Sequence, residues 1–252
     1  SAQDFFFYLD VKKGSQLTEL LLPDIRGLAG TSISGNFNST NHHIIATIDM
    51  PNISYGDYRA DQFHIDMESD ADTFHFDVIA DKLYLDNGLS ATHHLKGKIF
   101  NDNVYFNLEV YEDSLLNELF ANAVLTNKGD SLSLSLLSSR LLVAGEEWFI
   151  NEENEIRYYD NNLFANNIEL ESGRQHITLT SHLNDQGNTN LDATFEKVEL
   201  DGLMRIIQYD DYSLGGQITG TASMTDALRA NNDISSAITI NDFTLDGDTM
   251  GN

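Results

Sequence analysis

Two pairs of adjacent histidines, His42-His43 and His93-His94, are the residues of this 252-residue sequence that most suggest chemistry, because imidazoles often bind metal ions. Neighbouring residues of a β-strand point to opposite faces of the sheet, so one strand cannot present both rings of a pair to one ion. The chain has no cysteine, and neither pair belongs to the His-Glu-x-x-His pattern of zinc enzymes. We therefore predict no metal site at either pair.

Acidic residues form two further candidate sites. The turn at 246–248, Asp-Gly-Asp, is similar to part of a calcium loop, but the glutamate that completes an EF-hand loop is missing. A glycosidase needs two carboxylates, and five glutamates lie close together in the sequence: Glu146, Glu147, Glu152, Glu153 and Glu155. In a chain this acidic we interpret the first group as a polar turn and the second as a solvated hairpin.

Nucleophile and phosphate motifs are also missing. The serines between residues 131 and 139 alternate with leucines and lack the Gly-x-Ser-x-Gly turn of hydrolases. We find neither a phosphate-binding loop nor a dinucleotide fingerprint. The sequence therefore predicts a protein that is not an enzyme, has no catalytic residues and uses no cofactor.

The charge of the chain argues against two classes of direct partner. Acidic residues outnumber basic residues by 40 to 14, which gives a formal net charge of −26. Nucleic acids and anionic membrane surfaces both attract positively charged proteins, so we expect neither as a direct partner. No run of 18 apolar residues is present. Any membrane anchor of the protein is therefore expected outside this sequence.

The elements that position these residues are predicted to be β-strands, because apolar and polar residues alternate along most of the chain. Clusters of Asn, Asp and Gly between the alternating segments predict short turns, which favour antiparallel neighbours. The apolar residues of these segments include Phe74, Phe76, Val104, Phe106, Leu108, Val110, Leu132, Leu134, Leu136, Trp148, Ile168, Leu170, Ile177 and Leu179.

Helical patterns are scarce. They are confined to residues 15–22, 114–124 and 203–209, and the second and third of these are expected to pack at an end or rim of the sheet. Three short helices are too few to cover all the apolar strand faces. Those faces must therefore meet one another, either in a closed barrel or sandwich or across a folded, elongated sheet.

An internal repeat favours the second arrangement. Residues 15–35 and 201–220 share a helical pattern, a Leu-x-Gly step and an Ile-Ser/Thr-Gly step, and a strand and a turn follow each copy. We predict a first repeat over residues 1–200 and the truncated start of the next over residues 201–252. The chain is thus expected to be a piece of a longer, repetitive β-protein.

Several segments resemble, in order and spacing, the strand signature of the TamB translocation and assembly module family of AsmA-like proteins. They are EWFI at 147–150, NEI at 154–156, NIEL at 167–170, GRQHI at 173–177, LGGQITG at 214–220 and ITINDFTLDG at 238–247. The resemblance extends from about residue 8 to the end of the sequence.

The resemblance implies an all-β fold, in which an elongated, curved and mostly antiparallel sheet forms an open groove with a few short helices. It implies a Gram-negative, periplasmic protein of outer-membrane biogenesis, with an inner-membrane anchor outside this fragment. The implied partners are phospholipid or another acyl lipid, or nascent outer-membrane protein, together with an outer-membrane assembly barrel. The fourteen apolar residues named above would then line the groove, which would shield the lipid between the two membranes.

A second interpretation belongs to a different class. A β-rich, acidic, cysteine-free chain is also typical of a closed β-sandwich or solenoid from a surface adhesin or a carbohydrate-binding protein. Such a protein does not require the repeated helix and Leu-x-Gly step. An open apolar face that binds lipid would distinguish the first interpretation from the second.

Overall fold

The computed structural model describes residues 3–12, 25–56, 58–84, 90–112, 116–143, 146–207, 214–228, 232–246 and 248–251. By its internal contacts the chain divides into two compact units, Ser1–Asn117 and Glu118–Asn252. The boundary predicted after residue 200 separates two sequence repeats and not two compact units. That boundary stays a prediction.

The first unit is an antiparallel ladder. Its described strands are β1 (Asp4–Val11), β2 (Ile25–Arg26), β3 (Thr31–Asn38), β4 (His43–Tyr55), β5 (Tyr58–Ser69), β6 (Phe74–Tyr84), β7 (Ser90–Phe100) and β8 (Asn103–Glu112). β1 pairs with β3, and from β3 to β8 each strand pairs with the next along the chain. The short β2 pairs with the last residues of β4.

The second unit contains the other strands and the described helix. They are β9 (Leu116–Asn127), which begins at the boundary, β10 (Ser131–Val143), β11 (Glu146–Ile150), β12 (Glu155–Tyr159), β13 (Asn162–Asn166), β14 (Ile168–Ser172), β15 (Gln175–Leu183), β16 (Thr189–Glu199), α1 (Leu200–Ile207), β17 (Leu214–Met224), β18 (Ile234–Leu245) and β19 (Asp248–Gly251). From β14 to β19 each strand pairs antiparallel with the next.

The strand β10 is the branch point of the second unit. Its first residues pair with β12, which pairs with β13, whereas its last residues pair with β11, which pairs with β14. The side-chain amide of Asn154 stabilises this branch by bonding to both the amide N–H and the carbonyl of Leu136, at 2.7 and 2.8 Å. Asn154 is almost fully buried. Its hydrogen bonds offset the cost of burying a polar side chain.

The predicted all-β, antiparallel and open fold is confirmed. The 19 strands belong to one antiparallel sheet that does not close on itself, and helix is almost absent from the part of the chain that the structure describes. The closed barrel or sandwich that alternation alone allowed is therefore not the fold of this chain.

The three predicted helices have different outcomes. The helix predicted at 203–209 is present as α1, although residues 208–213 lie outside the described part of the chain, as do residues 15–22. The helix predicted at 114–124 is wrong, because residues 116–127 form β9. This segment pairs with β10 from Leu119 to Asn127, and the backbone hydrogen bonds of that pairing outweigh the helical spacing of its apolar residues.

Three neighbouring strands of the first unit share one interruption of their alternation. In each, two apolar residues of the same face are three positions apart instead of two: Met50 and Ile53, Ala60 and Phe63, Ala80 and Leu83. Gln62 has a left-handed backbone there, with φ of 51°, and the register of β6 against β7 shifts by one residue. Ala80 and Leu83 lie opposite His93 and Ala91, which share one face of β7. We call this shared irregularity, at residues 50–53, 60–63 and 80–83, the phase shift.

The internal repeat stays a prediction, but two ladders share one feature. Gly35 of β3 lies opposite Phe7 of β1, and Gly220 of β17 lies opposite Phe195 of β16, although β16 has an irregularity after Phe195 that β1 lacks. On β18 the irregularity that follows Ile240 includes Asp242, which has φ of 53°. Ile240 and Phe243 flank it three positions apart, as Met50 and Ile53 flank the phase shift on β4.

The helix α1 covers part of the apolar face of the second unit. A buried cluster joins Leu141, Trp148, Val198, Leu200 and Ile218, and Met204 of α1 packs against it. Val198 is 1 % exposed and Trp148 is 7 % exposed, so this part of the unit is a closed core. In the described part of the chain no helix has the length and apolarity needed to cross a membrane.

Candidate functional site

The strongest candidate site is the apolar face of the first unit. Cross-strand register aligns its side chains in rows that run from β1 to β8. One row contains Leu9, Ile33, Ile48, Ile65, Val78, Leu95 and Leu108. Six of the predicted lining residues lie on this face: Phe74, Phe76, Val104, Phe106, Leu108 and Val110. The strands thus place on one face six predicted residues that are spread over the sequence from Phe74 to Val110.

These side chains are only partly shielded from solvent. Apart from Val110, which is buried, the six predicted residues are half-buried, and Ile99 at the end of β7 is 39 % exposed. The main contacts between the described elements of this unit connect hydrogen-bonded neighbours, so none of them forms a second layer over the face. Single hydrophobic residues scattered over a protein surface are common, but a continuous apolar patch of this extent indicates a binding surface.

Glycines opposite aromatic residues leave room for the rings to extend over the neighbouring strand. Gly97 lies between Phe76 and Phe106, and a Cβ at this position would meet the Phe76 ring at 2.6 Å. Gly35 in the same way accommodates the ring of Phe7. The phenyl rings therefore cover the backbone of the neighbouring strand, and the face presents ring surfaces together with aliphatic side chains.

One histidine lies on the apolar face. The two residues of the pair His93-His94 point to opposite faces, as their position on β7 predicts, and His93 shares its face with Leu95. The Nδ1 of His93 donates a hydrogen bond to the carbonyl oxygen of Ala91 at 3.0 Å. On the other face, the Nε2 of His94 donates to Asp77 at 2.7 Å.

The opposite face of the first unit is polar and contains histidine–carboxylate pairs. His64 donates from Nδ1 to Asp49 at 2.6 Å and from Nε2 to Asp66 at 3.0 Å. These bonds, first that to Asp66 and then that to Asp49, raise the pKa of His64. The Thr47 hydroxyl, followed by His64, holds the pKa of Asp66 below its ordinary value. The two faces therefore differ sharply in polarity.

A polar pocket of about 410 Å³ opens on this polar face, beside the phase shift. The guanidinium of Arg59 donates two hydrogen bonds to the carboxylate of Asp61, at 2.8 and 2.9 Å, and lies over the ring of Tyr84. Amide, carboxylate and ammonium groups complete much of the lining: Asn52, Gln62, Asp81 and Lys82. This mixture of donors and acceptors suits a polar ligand without a large net charge.

The other predicted lining residues lie in the second unit, in different surroundings. Trp148 and Ile168 are buried, and Leu136, Leu170 and Ile177 pack against the Trp148 cluster. Leu179 is half-buried and Leu132 is 43 % exposed. Leu134 lies opposite Ile156 on the same face of β10 as Leu132. Trp148 is thus part of the closed core, and the half-buried Leu136, Leu170 and Ile177 border it, whereas the residues of the first unit's face have no such cluster over them.

Two of the five clustered glutamates, Glu155 and Glu146, accept hydrogen bonds from neighbouring side chains. Glu155 accepts hydrogen bonds from Ser133 at 2.6 Å and from Lys128 at 3.0 Å, in that order the main causes that lower the pKa of its carboxyl. Glu146 accepts a hydrogen bond from Gln175. Among the described residues no group of three or more histidine and acidic side chains could hold a metal ion.

Sequence reasoning missed the apolar position of His93 and the pairing of glycine with phenylalanine. A signal for the first was present, because His93 is two residues before Leu95 and therefore shares its face. The second required the register between strands, which the sequence alone does not provide. Comparison with known proteins gives no further guidance, because no family model, curated protein or solved structure matches this chain.

Proposed function

We propose that this chain is a non-enzymatic module that shields the acyl chains of a lipid on the apolar face of its first unit. The observation that carries the proposal is the continuity of that face across seven paired strands, with half-buried aliphatic and aromatic side chains in register. Acyl chains need an apolar surface of this kind and leave their headgroup in water.

The sequence resemblance to TamB and other AsmA-like proteins supports a setting for this activity. In that setting the module works in the periplasm of a Gram-negative cell, in a protein anchored to the inner membrane. It contributes to outer-membrane biogenesis with a barrel partner, and it shields phospholipid or a nascent outer-membrane protein. The open sheet accords with a conduit of this kind, since a closed sandwich has no free apolar face.

Photo-crosslinking from two adjacent positions tests the proposal. Phe106 lies on the apolar face, whereas Tyr105 lies on the opposite face and is 37 % exposed. Benzoylphenylalanine extends an aromatic ring that is already present at either position, so the two variants carry the same added bulk on opposite faces. We expect phospholipid adducts from position 106 and none from position 105 when the protein is expressed in a Gram-negative periplasm. Equal adducts from both positions, or none from either, would contradict lipid shielding.

The variant Leu108→Asp provides an independent measurement. A charge on this half-open face can remain hydrated, so we expect the variant to fold and to lose the lipid adduct at position 106. The matched variant Ile218→Asp places the same charge in the closed core of the second unit, where it should prevent folding. If Leu108→Asp unfolds as Ile218→Asp does, the face is a sealed core and does not bind lipid.

The polar pocket favours a second candidate function, the binding of a saccharide. Carboxylates and amides recognise sugar hydroxyls, and Asp61, Asn52 and Gln62 bring such groups together. The test is a glycan array with the wild-type protein and with Asn52→Ala. Binding of a glycan that the variant loses would support this function, and absence of any bound glycan would reject it.

A further inference from the structure

The position of His93 indicates where the polar end of a lipid would lie. Among the side chains that the structure describes in the rows from β1 to β8, His93 is the member of the apolar face that can carry a positive charge. Of the four other strand histidines of this unit, His43, His64 and His94 lie on the polar face and bond to carboxylates, and His75 lies opposite Glu68 on that same face. His93 therefore departs from the pattern of its own unit.

The hydrogen bond of His93 leaves one ring atom for a ligand. A carbonyl oxygen only accepts, so the bond to Ala91 fixes the proton on Nδ1. Nε2 has no partner among the described residues. The residues directly opposite on the two neighbouring strands are Ala80 and Val110, which offer no polar group to it. Nε2 is thus an unpaired polar atom among the apolar side chains that surround it on β6 and β8.

The length of the face beyond His93 suits an acyl tail. From His93 to Ile99 the strand β7 advances six residues, or about 20 Å. A single tail extends through half of a bilayer core, or about 15 Å. Along this distance the Phe76 ring reaches over Gly97, and Phe106 lies directly opposite Gly97 on β8. A tail lying along β7 from His93 would contact apolar side chains throughout its length.

We propose that His93 binds the acidic headgroup of an acyl lipid whose tail lies along β7 towards Ile99. The proposal rests on the lipid-shielding function and deepens it. Nε2 takes up a proton, from water where the ligand is already ionised, and the resulting imidazolium donates a charge-assisted hydrogen bond to the carboxylate or phosphate oxygen. The ligand class is an acyl chain with an anionic oxygen head, from a fatty acid or from a lipid phosphate.

Binding of three ligands with the same sixteen-carbon tail tests this assignment. The probes are palmitate, hexadecyl phosphate and hexadecanol, each used below its micelle-forming concentration and measured by displacement of a fluorescent lipid. We expect the wild type to bind the two anionic probes about tenfold or more tightly than hexadecanol. In His93→Leu this preference should vanish while hexadecanol still binds. His94→Leu, altered on the polar face, should retain the preference.

Each outcome distinguishes this inference from the function on which it rests. If none of the three probes binds the wild type, lipid shielding itself fails. If all three bind equally, or if His93→Leu keeps the preference, the face binds lipid but His93 does not select its head. If His93→Leu does not fold, His93→Gln replaces it and should show the same loss. A preference for palmitate alone or for hexadecyl phosphate alone identifies the source of the anionic head.

Discussion

At the scale of single residues, two glycines of the second unit should respond oppositely to the same substitution. Gly220 has φ of 148° and lies against the Ala237 carbonyl, with Ile238 Cα at 2.8 Å from an added Cβ. We expect Gly220→Ala to reduce the free energy of unfolding by about 2 kcal/mol or more. Gly202 lies in α1 with no atom within 4 Å of an added Cβ, so Gly202→Ala should stabilise by about 0.5 to 1 kcal/mol.

Urea denaturation followed by the fluorescence of Trp148 measures both effects. Trp148 is the single tryptophan of the chain and lies in the core of the same unit, so its signal reports on that unit. Equal unfolding midpoints for the two variants would contradict the close approach at Gly220.

The carboxyl of Glu155 should make stability depend on pH. Its pKa is lowered in the folded state, first by Ser133 and then by Lys128. A lowered folded pKa gives stability that is fully present above the unfolded pKa and is lost as the pH falls through the folded pKa. Between about pH 5 and pH 3 the wild type should therefore lose more stability than Glu155→Gln. The control is Glu153→Gln in the exposed turn, and parallel curves for wild type and Glu155→Gln would refute the prediction.

At the scale of elements, α1 should contribute to the core through Met204. This side chain packs against the cluster that contains Trp148 and Val198. We expect Met204→Ala to cost about 2 kcal/mol, near the lower end for a methionine removed from a core, because Met204 is half-buried. Ile234 on β18 is 69 % exposed, and Ile234→Ala should change the free energy of unfolding by less than about 0.5 kcal/mol. The midpoint of urea unfolding distinguishes the two variants.

Alternation in the sequence was a reliable guide to strands and to which residues share a face. Phe106 and Leu108 point one way and Asn107 the other, because the side-chain direction of a strand follows its backbone geometry. The same reasoning failed for residues 114–124, where a helical spacing of apolar residues lies within the strand β9. That outcome depends on pairing with β10, which is a tertiary interaction and leaves no mark in the local pattern.

The candidate site was predictable in part. The sequence identified six residues that the first unit aligns on its apolar face, but it grouped them with Trp148 and Ile168, which belong to a closed core. Burial depends on what lies above a face, and the packing of α1 on β17 becomes known only from the structure. Local patterns therefore specify the direction of a side chain better than its exposure.

At the scale of the whole molecule, the net charge should make stability sensitive to salt. The formal charge of −26 implies repulsion within the folded chain, which dissolved ions screen. We expect the melting temperature to rise by several degrees when sodium chloride increases from about 0.02 M to 0.3 M at pH 7. Near pH 4.3, where the sequence carries no net charge, the same addition should have little effect. A melting temperature insensitive to salt at pH 7 would show that repulsion is unimportant.

The phase shift limits how the gene of this protein can change in length. A deletion of one codon within β5 would turn every side chain beyond it to the other face, unless β4 and β6 changed length at the same row. Single-codon insertions and deletions are therefore expected to be purged from these strands, whereas duplication of a complete strand–turn–strand segment keeps both faces intact. Duplication of a whole segment would produce two similar ladders, which is how β3–β5 and β17–β19 are related in their order and pairing.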